Sequence, residues 1–137
     1  MSARYTDWCP MRGSSQALVE FALAISVFML LVLGTFDAAR AYLAYTVVSN
    51  AAREASRYAA AHVGEPGWMA AAAQAGANLA VGVNPSDLTL TPTAATVDAL
   101  PYIHVTGGYR FHSVTPLVSA LLGDPLMIQV ETYALAG

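Results

Sequence analysis

Between Glu20 and Asp37 the chain runs through sixteen consecutive residues, Phe21 to Phe36, without a charge. Ala17, Leu18 and Val19 extend the apolar stretch upstream to about 20 residues, and a helix rising about 1.5 Å per residue then covers the roughly 30 Å of a bilayer's hydrocarbon. Only Glu20, Ser26, Gly34 and Thr35 interrupt the Ala, Leu, Val, Ile, Phe and Met of this stretch. The segment is therefore apolar on every face rather than along one stripe, which favours a membrane span over the core helix of a soluble protein. With 137 residues in all, the remainder suffices for one modest head.

Charged residues make up only 11% of the chain, there is no lysine, and six arginines stand against nine acids. A phosphate-binding surface needs clustered cations, and the nearest pair, Arg53 and Arg57, has Glu54 between them. Nucleic acid is excluded as a partner on that ground. Cys9 is the only cysteine, so one chain forms neither a disulfide nor a cysteine-based zinc site.

The first fifteen residues are polar, carry Arg4, Asp7 and Arg12, and hold Pro10 and the turn-prone Gly13-Ser14-Ser15. A short net-positive head before an apolar helix is how export signals begin. Ala39-Arg40-Ala41 matches the small-x-small pattern of a signal peptidase site. Against an ordinary secretory signal, the apolar stretch exceeds the usual core of roughly 7 to 15 residues, and Asp37 and Arg40 would precede the cut. Arg40, Arg53 and Arg57 lie beyond the span and Arg4 and Arg12 before it, so charge bias alone does not orient it.

Past Asp37 the helical pattern persists. Ala44, Val48, Ala51, Ala55, Tyr58 and His62 follow alternating spacings of four and three and form one face, while Asn50, Arg53, Glu54 and Arg57 gather on another. No proline occurs between Met11 and Glu65, and the isolated Gly34 costs only about 1 kcal/mol relative to alanine. One nearly continuous helix from residue 16 to about residue 61 is expected. Its alanine seam predicts close approach of another helix or a sheet, and Glu54 and Arg57 are spaced to pair on the surface.

Gly64-Glu65-Pro66-Gly67 ends that helix. A second, alanine-rich helix is expected from about Trp68 to Val81, before Gly82 and Asn84-Pro85; Trp68 has two readings, an interfacial membrane anchor or, preferred, a residue packed between the helices. Leu88 to Thr91, Tyr102 to Thr106 and Met127 to Tyr133 each alternate apolar and polar residues, predicting three strands with one wet face. Gly107-Gly108 is either a two-residue hairpin turn or, preferred, a bulge that lets Tyr102 to His112 run as one bent strand. Pro116 to Leu122 then makes a short helical connection closed by Gly123-Asp124-Pro125. The fold class is α+β.

No catalytic, cofactor-binding or metal site emerges. His62, His104 and His112 are the only imidazoles, and none has metal-ligand spacing. His104 and His112 either approach each other across strands or, as preferred, lie on the wet face. No serine sits in a nucleophile elbow, and Gly107-Gly108 lies between strand-like runs rather than before a helix. An enzyme is not expected, and no cofactor is implied.

Arg12-Gly13, then Gln16-Ala17-Leu18-Val19-Glu20-Phe21-Ala22-Leu23, then Asp37 and Arg40, then Ser49-Asn50-Ala51-Ala52-Arg53-Glu54-Ala55-Ser56-Arg57-Tyr58-Ala59 closely resembles TadE-like proteins, minor pseudopilins of the tight-adherence (Flp-type) pilus. The likeness is strong from residue 12 to 60 and persists weakly around Tyr109 to Pro116 and through the closing strand to Leu135. The resemblance implies a pilin-like architecture and a prepilin peptidase that removes a leader on the cytoplasmic side, leaving the apolar helix on the mature protein. It also implies other pilins and pseudopilins and the Tad inner-membrane assembly proteins as partners, with membrane lipid around the helix. On this reading residues 1–15 are the leader, 16–36 the transmembrane helix, and 37–137 the extracytoplasmic head including the helix extension.

The family usually cuts after glycine and places an acid fifth in the mature chain. A cut between Ser15 and Gln16 makes Glu20 the fifth mature residue, with Ser15 where the family has glycine; a cut after Gly13 makes it the seventh. The first register is preferred, because the acid's position has a physical purpose. A carboxylate near the edge of hydrocarbon is costly unless paired, and cleavage creates an α-amino cation at Gln16 within reach of the Glu20 of a neighbouring helix. Such a pair sets axial register between subunits; the plainer alternative is that Glu20 snorkels to the interface. Pilus assembly at the bacterial cytoplasmic membrane is the functional expectation. The alternative is a single-pass, membrane-anchored extracytoplasmic binding module unrelated to filaments.

Overall fold

The computed structural model describes residues 12–97 and 100–136. Most of the expected leader, residues 1–15, with Cys9 and Trp8, lies outside the described residues. Helix α1, Arg12–His62, is one unbroken rod of 51 residues, with no interruption at Gly34. It starts before the expected Gln16 because Gly13-Ser14-Ser15 contains no proline, and a long apolar helix propagates cooperatively through such a turn.

Burial divides α1 into two parts. Among the described side chains from Ser15 to Phe36 none is buried; burial begins at Asp37 and resumes at Ala44, Val48, Ser49, Ala51, Ala52, Ala55, Ser56 and Ala59. Asn50, Arg53 and Arg57 remain exposed. The α1 chain ends in a turn where Gly64 and Gly67 take φ of +96° and +79°, a region costly for any side chain. Helix α2, Trp68–Leu79, then folds back on α1. It stops two residues short of the expected Val81, followed by a single 3-10 turn at Pro85–Asp87.

Strands β1 (Leu88–Val97), β2 (Leu100–Phe111) and β3 (Leu126–Leu135) form an antiparallel sheet in the order β1-β2-β3. Helix α3, Pro116–Leu122, joins the last two. Gly107-Gly108 is neither a hairpin turn nor the preferred bulge. Gly107 pairs with Leu90 and Val130, and Gly108 with Thr89 and Gln129, in uninterrupted one-to-one register. The glycine serves packing instead: a Cβ at Gly107 would lie 3.2 Å from Val48 Cγ1 and 3.4 Å from Ala52 Cβ, so its absence lets the central strand approach α1.

The core forms where the alanine seam of α1 meets both layers. Ala52, Ala55 and Ala59 of α1 join Ala72 of α2 and Ile103 and Val105 of β2, with Tyr58, Trp68 and Leu90 packed against them. Trp68 thus packs in the head, as preferred. A Cβ at Gly76 would lie 2.5 Å from the Ala51 carbonyl oxygen and 3.0 Å from Ala55 Cβ, which is the close helix approach that the small residues predict. Thr132 Oγ1 of β3 donates to the Ala52 carbonyl at 3.2 Å, pinning the third strand to the same stretch of α1.

Candidate functional site

The residues singled out in the sequence lie on α1, at its start and along its apolar run, and the structure draws in a further group at its exit from that run. Gly13, Ser15 and Gln16 all lie in the first turns of α1, and Ser15 and Gln16 are exposed. Glu20 is exposed on the same helix. The chain does not bring it to the head: about 17 residues at about 1.5 Å each, roughly 25 Å of helix, separate it from Asp37. The polar groups within the apolar run are satisfied locally, Ser26 Oγ donating to the Ala22 carbonyl at 2.7 Å and Thr35 Oγ1 to that of Leu31 at 2.8 Å. Among the described residues α1 is the one helix long and apolar enough to cross a membrane.

Where α1 leaves the apolar run, the structure adds a site that local patterning does not disclose. Asp37, only 3% exposed, accepts the backbone N–H of Thr115 at 2.7 Å and that of Val114 at 3.1 Å. Arg40, one turn on, donates to the same carboxylate at 3.2 Å and lies 5.3 Å from the centroid of the Phe111 ring. The hydroxyl and backbone N–H of Thr115 are the strongest influences on the acid, with Val114 and Arg40 assisting; they outweigh burial and hold its pKa at about 2. A carboxylate fed by several donors is stabilised as the anion. Asp37 is therefore a charged latch joining α1 to the β2–α3 connection. Sequence reading marks it as the end of the apolar run and part of the family pattern; the i,i+3 spacing to Arg40 is the one local hint of an ion pair.

The three imidazoles take separate places. His62 stacks on Tyr58 with centroids 4.1 Å apart, and its Nδ1 lies 2.9 Å from the Tyr58 carbonyl. His104 stacks on Tyr133 at 4.6 Å and stands 3.7 Å from Glu131, while the Tyr133 hydroxyl donates to Glu131 at 3.1 Å, and this bond and charge raise the phenol pKa. His112 sits 3.2 Å from Asp124. His104 and His112 do not meet across strands: they are eight residues apart along one extended segment, about 26 Å at roughly 3.3 Å per residue. His104 is half-buried under Tyr133 rather than fully wet. No group of three His, Cys, Asp or Glu suited to a metal occurs among the described residues. Glu54 and Arg57 form the expected exposed pair at 3.4 Å.

Residues 16–57 match the family model for TadE-like proteins. The match lies wholly within α1, covering the apolar run, the Asp37–Arg40 exit and most of the alanine seam. No curated protein and no solved structure matches the chain.

Proposed function

We propose that this chain, similar to TadE-like proteins over residues 16–57, is a minor pseudopilin that takes part in assembling a tight-adherence (Flp-type) pilus. The carrying observation is that the matched segment is one continuous helix joining an exposed apolar run to the buried seam of a small α+β head. A prepilin peptidase on the cytoplasmic side removes residues 1–15, residues 16–36 anchor the chain in the cytoplasmic membrane, and residues 37–137 form the head outside it. The Ser15–Gln16 bond lies in the first turns of α1, so the peptidase acts after that end has unwound. Helix ends fray readily, which makes this opening modest.

Cleavage gives Gln16 a free α-amino group. Glu20 of an adjacent helix meets that cation near the edge of the hydrocarbon, and the pair sets the axial register between this subunit and other pilins. N-terminal sequencing of the mature protein tests the reading. A start at Gln16 or Ser14 supports it, and an intact Met1 start, or loss of Met1 alone, overturns it in favour of a simple membrane-anchored module.

A further inference from the structure

Helix α3 is set apart from the rest of the head. The segment from Ser113 to Gly123 carries no charge, and no residue of α3 is buried. Val114 is 70% exposed, Leu121 74% and Leu122 66%. Pro116, Leu117 and Ala120 face Ser26, Met29, Leu30 and Leu33 of α1 across an open wedge of about 510 Å³.

The level of that wedge along α1 decides what fills it. Ser26 to Leu33 precede Asp37 by four to eleven residues, about 6 to 16 Å of helix at about 1.5 Å per residue. On the reading that residues 16–36 span the bilayer, this is the outer half of a hydrocarbon layer roughly 30 Å thick. The Asp37 bonds to Val114 and Thr115 hold the start of α3 at the top of that layer. The Ser119 hydroxyl, the polar side chain within α3, donates to the Pro116 carbonyl at 2.8 Å, and satisfying polar groups internally is what a lipid environment demands.

We propose that α3 is a second membrane-contacting element, a foot inserted into the outer leaflet whose wedge against α1 is filled by lipid acyl chains. This rests on the membrane-spanning reading of residues 16–36. The foot and the span together hold the protein at two points, so α1 and the head packed on it resist tilting as one body relative to the bilayer.

Site-directed fluorescence in vesicles tests this on the full chain. In a Cys9→Ser background, single substitutions Leu121→Cys, Leu122→Cys, Leu30→Cys and Met69→Cys are labelled with an environment-sensitive fluorophore. Leu121, Leu122 and Met69 are all exposed, so their replacement leaves the folded core intact. The proteins are reconstituted in phosphatidylethanolamine–phosphatidylglycerol vesicles carrying acyl-chain nitroxides. The expected result is blue-shifted emission and nitroxide quenching at positions 121 and 122 comparable with position 30, and neither effect at position 69. Quenching at 30 with solvent-like behaviour at 121 and 122 overturns the foot and leaves the span standing. Solvent-like behaviour at 30 overturns the span, and the foot with it. Unquenched but blue-shifted probes at 121 and 122, with disulfide formation between Leu121→Cys and Leu30→Cys of two copies in the unlabelled double variant, give the wedge to a second copy and overturn lipid as its occupant.

Discussion

The carboxylate of Asp37 accepts the backbone N–H of Thr115 at 2.7 Å across 78 residues of chain. This bond joins the end of the apolar run in α1 to the start of α3. Its energy depends on the acid remaining ionised, since a protonated carboxyl is a poorer acceptor for amide donors and loses its attraction for Arg40.

The latch therefore has a definite pH range. The folded pKa of Asp37 is lowered from the ordinary 3.8 to about 2, so its contribution to stability is complete above the unfolded value and is lost as pH falls through the folded one. Thermal unfolding of the detergent-solubilised protein should show this contribution in full at pH 6 and lose it progressively from about pH 4 toward pH 2. Asp37→Asn should lower the midpoint at pH 6 and flatten the acid limb. Equal acid limbs in wild type and variant would remove the latch from the account.

Close contact between α1 and α2 at Gly76 predicts a steric penalty. Gly76→Ala puts a methyl 2.5 Å from the Ala51 carbonyl oxygen and should destabilise the head by about 1–3 kcal/mol, the range for overpacking a tight core. Gly108→Ala, where a Cβ meets nothing within 4 Å, should be neutral or slightly stabilising. Denaturant midpoints of the two variants measured side by side check the contrast.

Processing should be governed by Ser15 more than by Gly13. Ser15→Trp should leave full-length precursor in the membrane, because a large side chain does not fit where the peptidase accepts a small one, whereas Gly13→Ala should process normally. A processing gel with the reverse ranking would move the register by two residues.

On the proposed function, Glu20 should act in assembly rather than in folding of the head. Glu20→Gln keeps shape and removes charge, so expression, membrane insertion and the denaturant midpoint of the head should match wild type while partner pilins no longer copurify and surface adherence falls. Glu20→Ala should behave alike, the carboxylate rather than its packing being what is lost. Wild-type adherence and copurification in the Glu20→Gln strain would reduce the acid to a residue that snorkels to the interface.

Much of the architecture is legible in local pattern. The length and continuity of α1, the break at Gly64 to Gly67, the start of α2 at Trp68 and the three alternating strands all follow from spacing and from proline and glycine punctuation, which act on neighbours within a turn. The alanine seam also announces close packing, though not which partner meets which alanine: Gly76 of α2 takes Ala51 and Ala55, and Gly107 of β2 takes Val48 and Ala52. The bulge expected at Gly107-Gly108 fails for that reason. Two adjacent glycines look like a local irregularity, but Gly107 is used where Val48 and Ala52 of α1 approach from nearly sixty residues away in the chain, while a Cβ at Gly108 would meet nothing within 4 Å.

What the sequence by itself determined is a long helix apolar at one end and one-faced at the other, followed by a short helix and a sheet, because hydrophobic period is a property of neighbouring residues. The roles proposed for Gly13, Ser15 and Gln16 rest on the family resemblance, and the one proposed for Glu20 rests also on the cost of a carboxylate at the edge of hydrocarbon, since their chemistry involves other molecules. Tertiary structure alone decided that Asp37 is a buried anion rather than the first polar residue past a span, and that α3 stands beside the apolar run. Both depend on Val114 and Thr115 arriving from 77 and 78 residues away, and such a meeting is fixed by the packing of β2 on α1, which no window of local sequence contains.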